Sequence, residues 1–174
     1  CREYGRKNVI RLNDREFCEI VGYIRDNYGI NLEKKQVLIE CRMARELEKR
    51  GLTSFAQYME QMRKDRTGEM AGEMVNRLTT NYTYFMREPA HFSILNNKIL
   101  PELFENRKMG GCSIWNAGCS TGEEVYSIAM LIQDYGDRFE RMPAVRILAT
   151  DISAEVLRKA EKGIYPLKEM EDLP

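Results

Sequence analysis

Apolar residues in the first part of the chain recur at helical spacing. Phe17, Ile20, Val21 and Ile24 follow one another at the i, i+3, i+4 and i+7 positions, and Gly29 lies just beyond them. The pattern predicts an amphipathic helix that ends before Gly29.

Three more helices follow in the same pattern. The second is predicted over residues 34–50 and ends at Gly51, the third begins after Ser54 as its N-cap, and the fourth lies around residues 69–78. The last two carry an apolar stripe rich in methionine, which we expect to form core rather than a ligand-binding surface. Its members are Phe55, Tyr58, Met59, Met62, Met70, Met74 and Leu78.

The pattern changes at Gly110–Gly111. Two short apolar runs, CSIWNA at 112–117 and VRILAT at 145–150, are typical of buried strands, and a helical pattern follows each of them. Ser153 is placed to cap the last helix and Gly163 to end it. This β-α-β-α order predicts parallel strands joined by right-handed crossovers.

We therefore predict an α/β protein with an all-helical N-terminal domain at residues 1–80. Residues 81–110 form a linker and a helix that begins near Pro89, and residues 111–174 form the first part of a doubly wound, Rossmann-like sheet. Two strands do not complete such a sheet. We expect the chain to be a fragment, or the remaining strands to lie in sequence outside it.

Composition excludes several classes of protein. The 27 basic and 27 acidic residues cancel, which argues against a dedicated nucleic-acid binder. No apolar run approaches the ~20 residues that span a bilayer, so we expect no membrane insertion. The five cysteines lack CxxC spacing, and His91 is the only histidine, so we expect a reduced, cytoplasmic protein without a metal site. Cys18 and Cys41 fit helical patterns as small core residues.

The loop after the first strand contains the candidate chemistry. It reads Asn116-Ala117-Gly118-Cys119-Ser120, and Gly118 lets the backbone approach a ligand closely. It is not GxGxxG and has no Walker lysine, which weakens the dinucleotide and triphosphate interpretations. Glu123 and Glu124 follow at the start of the helix. They would repel a pyrophosphate and would suit a cationic ligand.

Asp151 ends the second strand. A carboxylate at this position of the fold accepts hydrogen bonds from ribose hydroxyls. A ribose-bearing cofactor with a positive centre and no phosphates is S-adenosylmethionine. In the alternative interpretation Asp151 only caps the following helix, and the two glutamates only satisfy the helix dipole.

A second polar segment is LTTNYTYFMREPAHF at residues 78–92. It places Asn81, Thr83 and Arg87 close together, among aromatic side chains. Either these residues line a ligand site, or Thr79 or Thr80 caps a turn while the aromatic rings fill a domain junction and Arg87 pairs with Glu88. The residues alone leave both interpretations open.

Three motifs in this order resemble the CheR-type chemotaxis receptor methyltransferases. They are TTNYTYFMRE, WNAGCSTGEEVYSIAM and ILATDISAEVLRKAEKGIYPL, and the resemblance covers nearly the whole chain. It implies a helical domain joined to a doubly wound methyltransferase domain that contributes the cofactor pocket together with residues 81–110. It also implies transfer of a methyl group from S-adenosylmethionine to glutamate side chains on the cytoplasmic helical bundle of chemoreceptors, with S-adenosylhomocysteine as the product.

The resemblance also implies roles for single residues. The cofactor contacts carried over are Asn81, Thr83, Arg87, Gly118, Glu124 and Asp151, and Arg87 is also the catalytic candidate, because it either binds the cofactor carboxylate or orients the attacking glutamate. The chain differs from the family at Tyr82, Met86 and Val125, where the family often has Glu, Phe and Pro. None of these differences removes a kind of contact that the family makes with the cofactor.

The second predicted helix has a basic side. At 100° per residue Val37, Cys41, Ala44 and Leu47 point one way, which predicts the buried face. Four basic residues point roughly opposite, and they form either a solvated face or, as the resemblance implies, a surface that docks on the acidic receptor bundle: Lys35, Arg42, Arg45 and Lys49.

Two other functions stay open at this stage. One is an S-adenosylmethionine methyltransferase that acts on RNA or a small molecule and uses the basic helix to hold phosphates. The other is a non-catalytic module that binds a receptor or the cofactor. We expect a monomer in each case.

Overall fold

The structure is a computed structural model that describes residues 10–105, 111–138, 144–170 and 173. The chain divides into two compact units, Cys1–Thr80 and Asn81–Pro174, which are described separately. Gly110, at the predicted change of pattern, lies outside the described residues. Lys108, where the predicted helix that begins near Pro89 ends, and Pro143, in the predicted connection before the second strand, also lie outside the described residues.

The first unit contains four helices among its described residues. They are α1 (Asp14–Tyr28), α2 (Gln36–Lys49), α3 (Phe55–Lys64) and α4 (Glu69–Leu78). Their existence and order confirm the prediction from apolar spacing.

Local sequence sets where these helices begin and end. Asn13 forms a capping box with Glu16: its side chain accepts a hydrogen bond from the Glu16 backbone N–H, and the Glu16 carboxylate accepts one from the Asn13 backbone N–H. Gly29 ends α1 in the left-handed conformation, with φ 70°. Ser54 caps α3, as predicted, by accepting a hydrogen bond from the Gln57 backbone N–H at 3.3 Å.

The four apolar stripes form one core. Its fully buried side chains come from every helix, and the methionine-rich stripe of α3 and α4 lies inside it, which confirms the core interpretation: Ile20, Ile24, Ile39, Met43, Leu47, Phe55, Tyr58, Met59, Met74 and Val75. The Tyr58 hydroxyl donates to the Met70 carbonyl oxygen at 2.8 Å. Burial raises the pKa of Tyr58 far above its usual range.

The buried face of α2 differs from the predicted one. Leu47 is buried as expected, but Val37 is 65% exposed and Cys41 is exposed. The actual inner face carries Ile39 and Met43 together with two carboxylates, Glu40 and Glu46. The prediction was wrong because Glu40 and Glu46 belong to the inner face, which places that face to one side of the predicted apolar stripe. Cys18 on α1 is likewise exposed rather than a core residue.

The two buried glutamates are hydrogen-bonded. Glu40 accepts from the Leu12 backbone N–H at 2.9 Å and from the Arg11 guanidinium at 2.8 Å. Glu46 accepts from the Arg50 guanidinium and, at 2.9 Å, from Arg77 on α4. These partners replace the water that the carboxylates lose on burial, and they join α2 to its neighbours.

The second unit begins with helices and continues into a small sheet. Its elements are α5 (Pro89–Ile94), a π-helical turn (Leu95–Ile99), α6 (Leu100–Glu105), β1 (Cys112–Ala117), α7 (Glu123–Gly136), β2 (Val145–Thr150), α8 (Ala154–Lys162) and a 3-10 turn (Leu167–Glu169). A helical unit followed by a β-α-β-α arrangement confirms the predicted fold class. Ser153 and Gly163 flank α8, as predicted.

The sheet brings the two strand ends together. β1 and β2 pair in parallel from Cys112↔Val145 to Ala117↔Thr150, so the loops that leave both strands lie at the same edge. On one face Ile114 and Ile147 pack against a cluster that includes Leu100 and Ile132. On the opposite face the paired residues Trp115 and Leu148 are 69% and 58% exposed.

Two further findings concern the described residues. None of their helices is long and apolar enough to cross a membrane. Within residues 10–105, 111–138 and 144–170 no group of three or more His, Cys, Asp or Glu side chains is arranged to hold a metal ion.

The buried carboxylate of Glu46 gives a test of the helical unit. Replacing Glu46 by glutamine removes the negative charge between two guanidinium groups whose side chains are 28% and 32% exposed. Because water partly compensates these arginines, we expect the free energy of unfolding to fall by about 2 kcal/mol, less than for a fully buried pair.

Urea unfolding followed by circular dichroism measures this change. Glu69→Gln, at an exposed position in the first turn of α4, is the control and should change stability by less than about 1 kcal/mol. Equal effects of the two substitutions would contradict a stabilising role for Glu46.

Candidate cofactor site

The loop that leaves β1 is tied to the end of β2. The backbone N–H groups of Gly118 and Cys119 both donate to the Thr150 carbonyl oxygen, at 2.8 and 2.9 Å. The loop therefore continues from the end of the sheet and lies beside Asp151, the residue that follows β2.

Asp151 fixes this arrangement with both carboxylate oxygens. Oδ2 accepts a hydrogen bond from the Ser120 backbone N–H at 2.8 Å, and Oδ1 accepts one from the Ser153 backbone N–H at 2.9 Å. The N-cap of α8 is Ser153, whose hydroxyl accepts from the Val156 N–H. An ionised carboxylate offers about four acceptor positions, so Asp151 holds the loop and still has acceptor capacity for a ligand.

Ser120 joins three segments of the chain. Its backbone has φ 49°, a left-handed conformation that is uncommon for a residue with a side chain. Its backbone N–H donates a hydrogen bond to the Asp151 carboxylate, and its hydroxyl donates to the Asn81 carbonyl oxygen at 2.7 Å. Helix α7 begins later, at Glu123, after Gly122.

A second contact holds the other end of the Asn81–Arg87 segment. The Met86 backbone N–H donates to the Ser127 hydroxyl at 3.0 Å, and that hydroxyl donates to the Glu123 carbonyl oxygen. Ser127 is fully buried on α7. Since Asn81 is bound at one end and Met86 at the other, the whole segment runs along the loop and the first turns of α7.

Apart from Phe85, the remaining residues of this segment are more accessible. Thr83 is half-buried and Arg87 is exposed. Arg87 Nη1 donates to the Tyr82 carbonyl oxygen at 2.8 Å, not to the neighbouring Glu88 carboxylate suggested as its partner. Phe85 is buried, and its ring centroid lies 4.9 Å from that of Tyr165. Tyr82 and Tyr84 are exposed.

The two glutamates at the start of α7 differ in environment. Glu123 is buried, and its carboxylate accepts from the Thr121 hydroxyl. Glu124 is exposed, and its Oε1 accepts from Asn116 Nδ2 at 2.5 Å. Of the pair, only Glu124 is available to a ligand from solvent.

The pKa of the Cys119 thiol depends on its burial and on the nearby carboxylates. Burial raises its pKa, and the carboxylates of Asp151 and Glu124 raise it further. Both carboxylates therefore act on the same loop. The site is negatively charged, which favours a cationic ligand over a phosphate.

The two glycines of the loop serve different purposes. Gly118 has φ 88°, and a Cβ placed on it would meet nothing within 4 Å, so the space beside its backbone is open. Gly122 has φ 102°, and a Cβ there would lie 2.6 Å from the Tyr165 hydroxyl and 3.1 Å from the Ala160 Cα. Gly122 permits close packing of α7 against α8, while Gly118 leaves room for another molecule.

A cavity of about 350 Å³ lies between α7, β2 and α8. Its lining is mainly apolar and includes Cys119, Val125, Ala149 and Leu157. None of the six predicted cofactor contacts lines it. The polar groups of the candidate site converge at the strand ends instead.

The predicted docking residues lie on the first unit. Lys35, Arg45 and Lys49 are exposed, and Arg42 is half-buried. Arg42 Nη1 donates to the carbonyl oxygens of residues 77, 78 and 79 at 3.3, 2.9 and 2.6 Å, and Nη2 donates to the Thr80 hydroxyl. Its guanidinium satisfies the C-terminal carbonyls of α4, a task that the sequence pattern did not reveal.

Comparison with known families accounts for both units. Residues 15–79 match the family model of the CheR methyltransferase all-alpha domain, and residues 81–174 match that of the CheR methyltransferase SAM binding domain. The chain belongs to the CheR methyltransferase family. This confirms the resemblance carried by the three sequence motifs.

Curated relatives match over nearly the whole chain. A chemotaxis protein methyltransferase of Borreliella burgdorferi is 41% identical over 169 residues, which cover 95% of this chain and 60% of the relative. One of Escherichia coli is 36% identical over 166 residues, which cover 94% of this chain and 55% of the relative. The chain thus spans little more than half the length of these relatives. The roles of single residues stay predictions.

The contrast between Gly118 and Gly122 can be tested with paired alanine substitutions. Gly122→Ala adds left-handed strain and a clash with α8, and we expect the free energy of unfolding to fall by about 3 kcal/mol. Gly118→Ala adds only the strain and should cost about 1 kcal/mol. Urea unfolding followed by circular dichroism compares the two, and a larger loss for Gly118→Ala would contradict the packing described above.

Proposed function

We propose that the full-length gene product containing this chain is a cytoplasmic protein-glutamate methyltransferase that uses S-adenosylmethionine and modifies chemoreceptors. The observation that carries the proposal is the convergence of Asp151, Gly118 and Glu124 at the carboxyl ends of two parallel strands. It lies within the part of the chain that matches the CheR methyltransferase SAM binding domain. The names of the curated relatives support a role in chemotaxis.

The residues present fit this cofactor. Asp151 retains acceptor capacity for ribose hydroxyls, and the open space at Gly118 lets a ligand lie against the backbone. Glu124 supplies a negative charge for the ammonium group. Asn81, Thr83 and Arg87 are the further contacts proposed from the segment that the loop holds in place.

The proposed methyl transfer does not need a general base. When bound, the cofactor supplies an electrophilic methyl group on a sulfonium. The target glutamate is ionised near neutral pH, so its oxygen attacks without a general base. Asp151, Gly118 and Glu124 would hold this cofactor, and its sulfonium would supply the methyl group and keep the electron pair of the sulfur–methyl bond. The protein contributes positioning and exclusion of water.

Arg87 is the proposed anchor for the cofactor carboxylate, with the attacking glutamate as its second possible contact. Its hydrogen bond to the Tyr82 carbonyl leaves other N–H donors of the guanidinium for a ligand. Loss of a charge-assisted hydrogen bond typically costs 1.5–3 kcal/mol, so Arg87→Ala should weaken S-adenosylhomocysteine binding by roughly tenfold or more.

Isothermal titration calorimetry on the full-length gene product measures this affinity. Arg158→Ala, which removes an exposed arginine from α8, is the control and should bind like the wild type. Unchanged cofactor affinity and unchanged turnover in Arg87→Ala would show that both proposed roles of Arg87 are wrong. No binding by the folded wild type would overturn the proposed function itself.

The exposed basic residues of α2 and of its N-cap, Lys35, are the proposed receptor-docking surface. Lys35, Arg45 and Lys49 suit an acidic helical bundle, and their exposure supports this role. Arg42 belongs to the same basic set, but its guanidinium already binds α4. A substitution at Arg42 therefore tests the stability of the helical unit together with docking.

Charge reversal separates the two effects. The triple variant Lys35→Glu, Arg45→Glu, Lys49→Glu should raise KM for receptor at least tenfold and leave S-adenosylhomocysteine affinity unchanged. Arg42→Met should lower the melting temperature, because the carbonyls at the end of α4 lose their donor. A methylation assay on receptor-containing membranes, run beside calorimetry, would contradict the docking proposal if KM did not change.

A further inference from the structure

Asn116 lies at the carboxyl end of β1 and is 5% exposed. Its Nδ2 group donates to Glu124 Oε1 at 2.5 Å. Glu124 itself is exposed on the first turn of α7. A buried amide on the sheet therefore holds a carboxylate that faces solvent at the candidate site.

Chemistry fixes the orientation of this amide. An ionised carboxylate only accepts hydrogen bonds, so the NH₂ group must face Glu124 and the Oδ1 atom must point elsewhere. Oδ1 is buried and has no hydrogen-bond partner among the described residues. A buried acceptor without a donor is a cost to the folded state. The fold itself thus gains little from a polar side chain at this position.

We propose that Asn116 is a positioning residue that holds Glu124 ready to bind the ammonium group of S-adenosylmethionine. This inference rests on the proposed function. A free glutamate side chain on a helix surface populates several rotamers, and ordering them on binding costs affinity. The hydrogen bond from Asn116 restricts the Glu124 side chain before a ligand binds. Less conformational entropy is therefore lost on binding.

The effect should be confined to one end of the ligand. Glu124 is the carboxylate assigned to the ammonium group, and Asp151 is assigned to the ribose. Asp151 is held by different donors, the backbone N–H groups of Ser120 and Ser153. A change at Asn116 should therefore disturb recognition of the amino-acid part and leave recognition of the nucleoside part intact.

Asn116→Leu tests the proposal, because leucine has nearly the shape of asparagine without its polar groups. Calorimetry on the full-length gene product compares S-adenosylhomocysteine with 5′-methylthioadenosine, which lacks the amino-acid part. We expect about tenfold weaker binding of S-adenosylhomocysteine and unchanged binding of 5′-methylthioadenosine. Stability should be unchanged or higher, since the partnerless acceptor is gone.

Three further variants complete the design. Ser113→Ala, at an exposed position of β1, is the control and should bind both ligands like the wild type. Asn116→Ala replaces the leucine variant if leucine prevents folding, with the same ligand pattern expected. A double-mutant cycle compares Asn116→Leu in the wild type and in the Glu124→Gln variant. In the Glu124→Gln variant, Asn116→Leu should weaken S-adenosylhomocysteine binding much less, because Asn116 acts through Glu124.

The outcomes separate this inference from the proposed function. Equal weakening for both ligands, or additive effects in the cycle, would overturn the role of Asn116 while the wild type still binds cofactor. A folded wild-type protein that binds neither ligand would overturn the proposed function and this inference with it.

Discussion

The hydrogen bond from the Ser120 backbone N–H to the Asp151 carboxylate sets the geometry of the second unit. Parallel pairing of β1 and β2 brings two chain segments to one edge of the sheet, and each must then turn away into a helix. The loop that leaves β1 makes this turn with positive φ angles at Gly118, Ser120 and Gly122. Asp151 compensates the strained Ser120 by accepting its N–H, and the Ser120 hydroxyl then holds Asn81.

The helical unit is held together by a different principle. Its apolar core is continuous, yet two carboxylates on the inner face of α2 are buried with it. The Glu46 carboxylate accepts a hydrogen bond from Arg77 on α4, and the Arg42 guanidinium donates to the carbonyl oxygen of Leu78 at the end of the same helix. The same helix thus uses some charged residues inward for packing and presents others, such as Lys35 and Lys49, outward. In the proposed function the second set meets the receptor.

Much of this architecture could be predicted from the sequence. Helical spacing, N-caps and glycine stops identified the helices of the first unit, and the strand runs at residues 112–117 and 145–150 were confirmed. These features depend on local interactions, which a sequence pattern shows directly. The three motifs also identified the family.

What could not be predicted depends on contacts between distant residues. Glu46 is buried because of Arg77, and nothing local to α2 indicates that partner. The hydrogen bond from Ser120 to Asp151 forms only once the strands pair. The burial that leaves Asn116 Oδ1 without a hydrogen-bond partner among the described residues likewise depends on the folded sheet. In the same way, the separate environments of Glu123 and Glu124 depend on Thr121 and Asn116.

The exposed face of the small sheet has an optical consequence. Trp115 is the single tryptophan of the sequence, and it lies on that face with 69% exposure. Its fluorescence therefore comes entirely from the second unit. Emission at long wavelength is the expected signal of this face in water, and a shift to shorter wavelength would report anything that covers it. The helical unit contains tyrosine and phenylalanine but no tryptophan, so it does not emit when tryptophan is excited selectively.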